Sequence, residues 1–298
     1  MKILEIFSPN FLFANALCAS LLMGLCVPLI GRHLVFGRSI LLGLALPQIS
    51  LAGVAFVFWG AAMGWGWCHG LQTEFSRALA GSLLFALPTL AALALTILQR
   101  GELTESWLAM AFLAAMSFTQ LLLSHNGVGE TYIEDLFHGR LLLIDDAAFR
   151  VFAAILPSAA LAALAFRKRF LLVLTGRDFA AVCGIHLPAW HLALALLNGL
   201  VIGLCVAIVG PLVTFGYLVL PVVGAARLAT SVRTHAVWSS GFGVLMGLAG
   251  FLASYHWDLP LGAAVVAAGC AGVGIIQTVR YGLGFLQPSI KNSLSIKL

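Results

Sequence analysis

The sequence predicts an all-α membrane protein: a polytopic bundle of eight to nine transmembrane helices, one of them broken or re-entrant. Three observations predict it. Of 298 residues, 61% are hydrophobic and only 9% charged, whereas a soluble globular domain carries about 25% charged residues. Apolar runs of about 20 residues, the length that crosses a hydrocarbon core roughly 30 Å thick, recur from end to end. Those runs are apolar on every face, rather than alternating in segments of about ten residues, which selects helices over a barrel.

The spans fall near 11–31, 39–62, 78–98, 106–124, 149–166, 189–209, 211–226, 237–255 and 261–284. The first follows only Lys2 and Glu5. It is longer than the apolar core of about 7–15 residues in a signal peptide, so it is expected to stay in the membrane uncleaved. The second contains Pro47, which frees a backbone carbonyl one turn earlier and lets the helix open toward a cavity at Gln48. The seventh begins at Gly210-Pro211 and contains Gly216 and Pro221. It is therefore the broken or re-entrant segment, tolerable at membrane depth where protein or a water-filled cavity satisfies its backbone. Gly243-xxx-Gly247 and Ala268-xxx-Gly272 let helix backbones approach closely, although 31 glycines make such spacings expected by chance. No soluble domain, linker or low-complexity tract interrupts residues 1–298, which read as one transmembrane domain.

The net charge of +5 does not point to nucleic acid, because the basic residues stand at the ends of apolar runs as topology signals. With nine spans and the N-terminus outside, twelve Lys and Arg residues face the cytoplasm, among them Arg32, Arg167, Lys168, Arg169, Arg177 and Arg227. Only Lys2, Arg77, Arg140 and Arg150 face out. Six cysteines lack any ligand spacing and read as small hydrophobes.

Catalytic motifs are absent. There is no GxxxxGK[ST] loop, no HExxH and no GxSxG, so the chain is read as a non-enzyme without its own ATPase motif, and any ATP sits on a partner. No acid or histidine falls at a span centre; the polar residues there are the neutral Asn15, Gln48, Ser50, Ser82, Thr89, Gln120, Asn198 and Thr214, which more often bridge helices than bind substrate. All eight histidines are placed in loops or at span ends, where imidazole sits in the interface. His125 and His138 share one outer loop with Glu130, Glu134 and Asp135, side chains of the types zinc accepts, and are the candidate metal ligands of a vestibule.

The inner stretch Gly176-Arg177-Asp178-Phe179-Ala180-Ala181-Val182-Cys183-Gly184-Ile185-His186 reads as a short cytoplasmic helix. Asp178 suits its first turn, Ala180 and Ala181 its body, and Gly184 its C-cap.

This stretch resembles the coupling-helix segment of the permease subunits of ABC importers for zinc, manganese and iron. Three further segments are similar in the same order. Gly210 to Leu228 resembles that family's broken helix, with Pro221 and the Ala226-Arg227 pair; Ser254 to Ala263 resembles the turn before its last span; Leu51 to Ala55 resembles the end of its second-span motif. The resemblance implies an importer permease for divalent metal ions, zinc or manganese, in the bacterial inner membrane. It implies a homodimer or paired permease, fed by an extracytoplasmic metal-binding protein and driven by a cytoplasmic ATP-binding subunit. That subunit would dock at Gly176, Arg177, Asp178, Ala180, Ala181 and Gly184. It also places Leu44, Gln48 and Pro221 on the transport pathway.

One departure bears on cargo. The family's second-span motif carries an aspartate and, four residues later, a histidine; here those places hold Leu44 and Gln48. Glutamine supplies no charge and is a poorer zinc ligand than imidazole. The alternatives are the same architecture carrying another cation or a metal chelate, or a non-transporting membrane protein.

Overall fold

Every apolar run becomes a helix in the computed structural model, which describes residues 13–37, 40–66, 71, 73–100, 105–124, 144–175, 184 and 186–285. Nine helices lie among them: α1 (Ala14–Phe36), α2 (Ile40–Ala62), α3 (Glu74–Arg100), α4 (Glu105–Leu123), α5 (Asp146–Ala165), α6 (Arg167–Thr175), α7 (Leu187–Ala226), α8 (Val232–Trp257) and α9 (Leu261–Phe285). All but α6 are long and apolar enough to cross a membrane. Glu74, Glu105 and Asp146 occupy the first turns of α3, α4 and α5, where a carboxylate meets the positive end of the helix dipole.

The sixth and seventh predicted spans are one 40-residue segment, α7, broken at Gly210 (φ 82°, ψ 173°). The cause is local. Pro211 has no N–H to continue the ladder, and it bars its predecessor from the α region. The conformation left at Gly210 is one that glycine almost alone adopts. Straight, 40 residues would reach about 60 Å, twice the hydrocarbon thickness.

The segment instead reverses. In its first half Gly199 packs on Leu87 and Leu90 of α3, and Gly203 on Leu83 and Ser82, so the two helices run antiparallel. In its second half Gly216 meets Val266 and Gly224 meets Val273 and Ile276, so it runs alongside α9 in the same direction. Both ends lie at one end of the bundle. Trp190 packs against Phe166 and Phe170 (5.4 and 5.8 Å between ring centroids). Val222 lies against His235, whose ring stands 5.1 Å from Phe36.

Two close approaches fix the helices around this hairpin. Pro28 removes the bond to the Gly24 carbonyl, and Gly24 and Gly243 touch backbone to backbone, so a side chain on either would strike the other. Ser240 donates to the Leu25 carbonyl (2.8 Å) beside that contact. Gly53 of α2 and Gly81 of α3 form a second such pair. Gly243 and Gly272, members of the spacings noted in the sequence, are thus true packing positions, Gly272 lying under Phe242. Between α8 and α9, Asp258 takes a left-handed conformation (φ 51°) while Ser254 donates to the Leu259 carbonyl (2.7 Å).

Candidate functional site

Helix lengths explain where the site comes from. Hydropathy ended the first span at residue 31 and began later ones at 189 and 237, leaving His33 and His235 in loops and His191 at a span end. The helices run further, to Phe36 and from Leu187 and Val232. The interface placement of these three histidines is therefore corrected: His33 is 2% exposed, His191 7% and His235 5%. Arg32, read as a topology charge at the cytoplasmic end of the first span, is 1% exposed inside the same end of the bundle.

These side chains share surroundings. His33 stands edge-on to Phe170 of α6 at 5.4 Å. Arg32 lies close enough to both His33 and His235 to act on them, and Arg167 acts on Arg32 in turn. Among the described residues Arg32 has no ion pair, and its Nη2 has no hydrogen-bond partner. Nor does either ring nitrogen of His235 make a well-formed hydrogen bond. Arg169 stacks over Trp190 at 4.7 Å, holding α6 to the start of α7.

Beside this cluster, between α1, α2, α3, α6 and α7, opens a cavity of about 150 Å³ lined by His33, His191, Asn198, Leu90, Val173 and Leu194, among others. Apolar walls with a few convergent polar groups are the usual makeup of a binding cavity. Nothing in the sequence beyond the helix ends signals it, since Asn198 reads there as a helix-bridging amide. Among the described residues no three His, Cys, Asp or Glu side chains group to hold a metal.

The residues singled out from sequence fare differently. Leu44 is half-buried and Gln48 buried one turn along α2. Gly43, next to Leu44, packs on Phe215 and Val219, bringing the start of α2 against the returning half of α7 that carries the buried Pro221. Pro47 lies inside α2 as expected and leaves the Gly43 carbonyl without its helical donor. Gly184 is exposed with φ 70°, the left-handed conformation suited to a helix C-cap. Gly176, Arg177, Asp178, Ala180 and Ala181 lie outside the described residues, as do His125 and His138. Of the neutral polar residues, Asn15 does bridge helices, donating to Asp146 at 2.6 Å. Ser82 and Thr214 donate to carbonyls of their own helices instead, the latter to Gly210 at the break (2.7 Å).

The family model described as ABC 3 transport family matches residues 10–277. The chain is 27% identical over 251 residues to the probable metal transport system membrane protein of Treponema pallidum (strain Nichols), covering 83% of this chain and 88% of that one. It is 24% identical over 255 residues to the manganese import system permease protein ScaB of Streptococcus pneumoniae, covering 85% and 84%. Among solved structures it is similar to PsaBC from Streptococcus pneumoniae in complex with Fab, with a TM-score of 0.74 and 21% identity over 93% of this chain and 95% of that one. At that identity the likeness is one of fold.

Proposed function

The chain belongs to the ABC 3 transport family, and on that premise we propose that it is the membrane permease of an ATP-driven importer for divalent metal ions, manganese or zinc. The observation that carries the reading is the match over nearly the whole chain, with relatives named for metal transport and manganese import. Polytopic, it works in the bacterial inner membrane. Metal arrives from an extracytoplasmic binding protein and crosses at a paired permease. A cytoplasmic ATP-binding subunit docks at Gly176 to His186 and supplies the energy.

The geometry suits that division of labour. α7 begins one residue after His186, is clamped to α6 by Trp190, and returns to the same end of the bundle. A push at the docking segment therefore acts on both halves of the hairpin, and the half that packs on α2 near Leu44 moves with it. To test the proposal, this chain is co-expressed with the neighbouring ATPase gene. The two are expected to co-purify, and manganese or zinc uptake to fall when Asp178 and Gly184 are disrupted. Failure to co-purify, or uptake that persists in those variants, overturns the reading.

A second reading keeps the machinery and changes the cargo to another cation or a metal chelate. The neutral pair Leu44 and Gln48, the latter buried in α2, favours it. Uptake of zinc or manganese that rises when Asp and His are placed at positions 44 and 48 supports this reading. Uptake unaffected by Gln48→Ala removes Gln48 from the pathway.

A further inference from the structure

The cavity at the arginine-rich end is walled by residues whose buried polar atoms the fold leaves unsatisfied. Neither ring nitrogen of His33 makes a well-formed hydrogen bond; the Ile30 carbonyl approaches the ring without completing one. The Oδ1 of Asn198, a residue 5% exposed, also has no partner. Both residues line the cavity, with His191 as a second imidazole in its wall. Buried polar atoms are normally paired, and each exception asks for an explanation. Its volume of about 150 Å³ far exceeds the 10–15 Å³ or so that one water needs, so it admits an ion with part of its hydration shell.

The chemistry of the wall selects the class of ion. The two imidazoles suit borderline divalent transition metals, whereas magnesium and calcium call for sets of oxygen ligands, to which the Asn198 amide alone would contribute one. Among the described residues no carboxylate or thiolate lines the cavity.

We propose that this cavity is a transient cation site on the cytoplasmic side of the bundle, where His33, His191 and the Asn198 carbonyl oxygen hold a partly hydrated divalent transition-metal ion on its way out of the protein. The inference rests on the importer reading above. The charges around the site set how firmly it holds. Its ligands are neutral, and Arg32, itself beside Arg167, stands next to His33 and repels a cation. Such a site holds an ion loosely, and transit needs binding that is favourable enough to enter and weak enough to leave.

The test uses the full chain with its ATPase partner in lipid nanodiscs and Co²⁺ as the probe, because its visible absorption reports nitrogen ligation. The expected result is one Co²⁺ per chain that resists excess Mg²⁺. Its affinity should fall by about tenfold or more in His33→Leu and in His191→Leu, in line with the loss of a metal ligand. Asn198→Asp adds a carboxylate and should tighten Co²⁺ binding by about tenfold, a gain that a misfolded chain does not produce. Co²⁺ binding unchanged in both histidine variants, with no gain in Asn198→Asp, overturns the site; metal uptake by cells in that case leaves the importer reading standing. Histidine-dependent Co²⁺ binding by a chain that cells do not need for metal uptake supports the site and overturns the importer reading.

Discussion

Tyr217 donates its hydroxyl proton to the Ser20 carbonyl (3.1 Å) and accepts from the Ser20 hydroxyl (2.8 Å), with both side chains fully buried. Two bonds thus fasten the returning half of α7 to α1, directly under Gly247 of α8. Interhelical hydrogen bonds inside membrane proteins average about 0.6 kcal/mol, while a buried hydroxyl left alone costs about 1–3 kcal/mol. Tyr217→Phe is expected to destabilise the chain by about 0.6–2 kcal/mol. The decrease should appear as a lower melting temperature in detergent. Ser20→Ala should add little on top of it, because the two changes remove the same pair.

Gly210→Ala tests the break in α7. A Cβ at φ 82° and ψ 173° is strained by about 1–3 kcal/mol. Melting temperature is expected to fall, and metal uptake to fall further than stability accounts for, since the angle between the halves changes. Uptake at the wild-type level with an unchanged melting temperature would mean that the reversal does not depend on this glycine.

How much of this was legible in the sequence depended on the kind of signal. The spans were, because hydropathy over 20 residues is a property of composition and tolerates errors of a few residues at each end. The break at Gly210-Pro211 was legible too, since proline's missing N–H acts locally. The reversal was not. It rests on α1 meeting the neighbours of both ends, His33 against Phe170 and Phe36 against His235, contacts between residues far apart in sequence. The cavity was missed for a different reason. Arg32 and His33 look like the polar end of a span, and hydropathy stops a helix where charge begins. Here packing carried the helix one further turn and buried both residues.

Glycines separate into those that hold helices together and those that do not. Gly24→Ala or Gly243→Ala puts a methyl group into the facing backbone, and each is expected to separate α1 from α8 and lower the melting temperature sharply. Gly241 and Gly274 are helical and have open space where a Cβ would stand. Alanine at these two should be neutral or stabilising, by up to about 1 kcal/mol from helix propensity. Thermal melts of the four variants side by side check the contrast.

Arg32 offers a trade between stability and function. A buried charge that has no ion pair among the described residues costs stability, and replacing buried ionic groups by apolar side chains of similar volume often stabilises by about 1–4 kcal/mol. Arg32→Met is therefore expected to raise the melting temperature. If Arg32 weakens cation binding next to His33, the same variant should bind Co²⁺ more tightly and turn over metal more slowly. A lower melting temperature would show that the guanidinium stabilises the bundle instead.

Because α7 leaves and re-enters at one face, it is neutral in topology. Losing any single span would invert every helix downstream and carry its arginines to the wrong side of the membrane. Lengthening or trimming the two arms of α7 together changes no orientation elsewhere. This stretch of the chain is thus free to vary in depth between related permeases while the helices around it keep their direction.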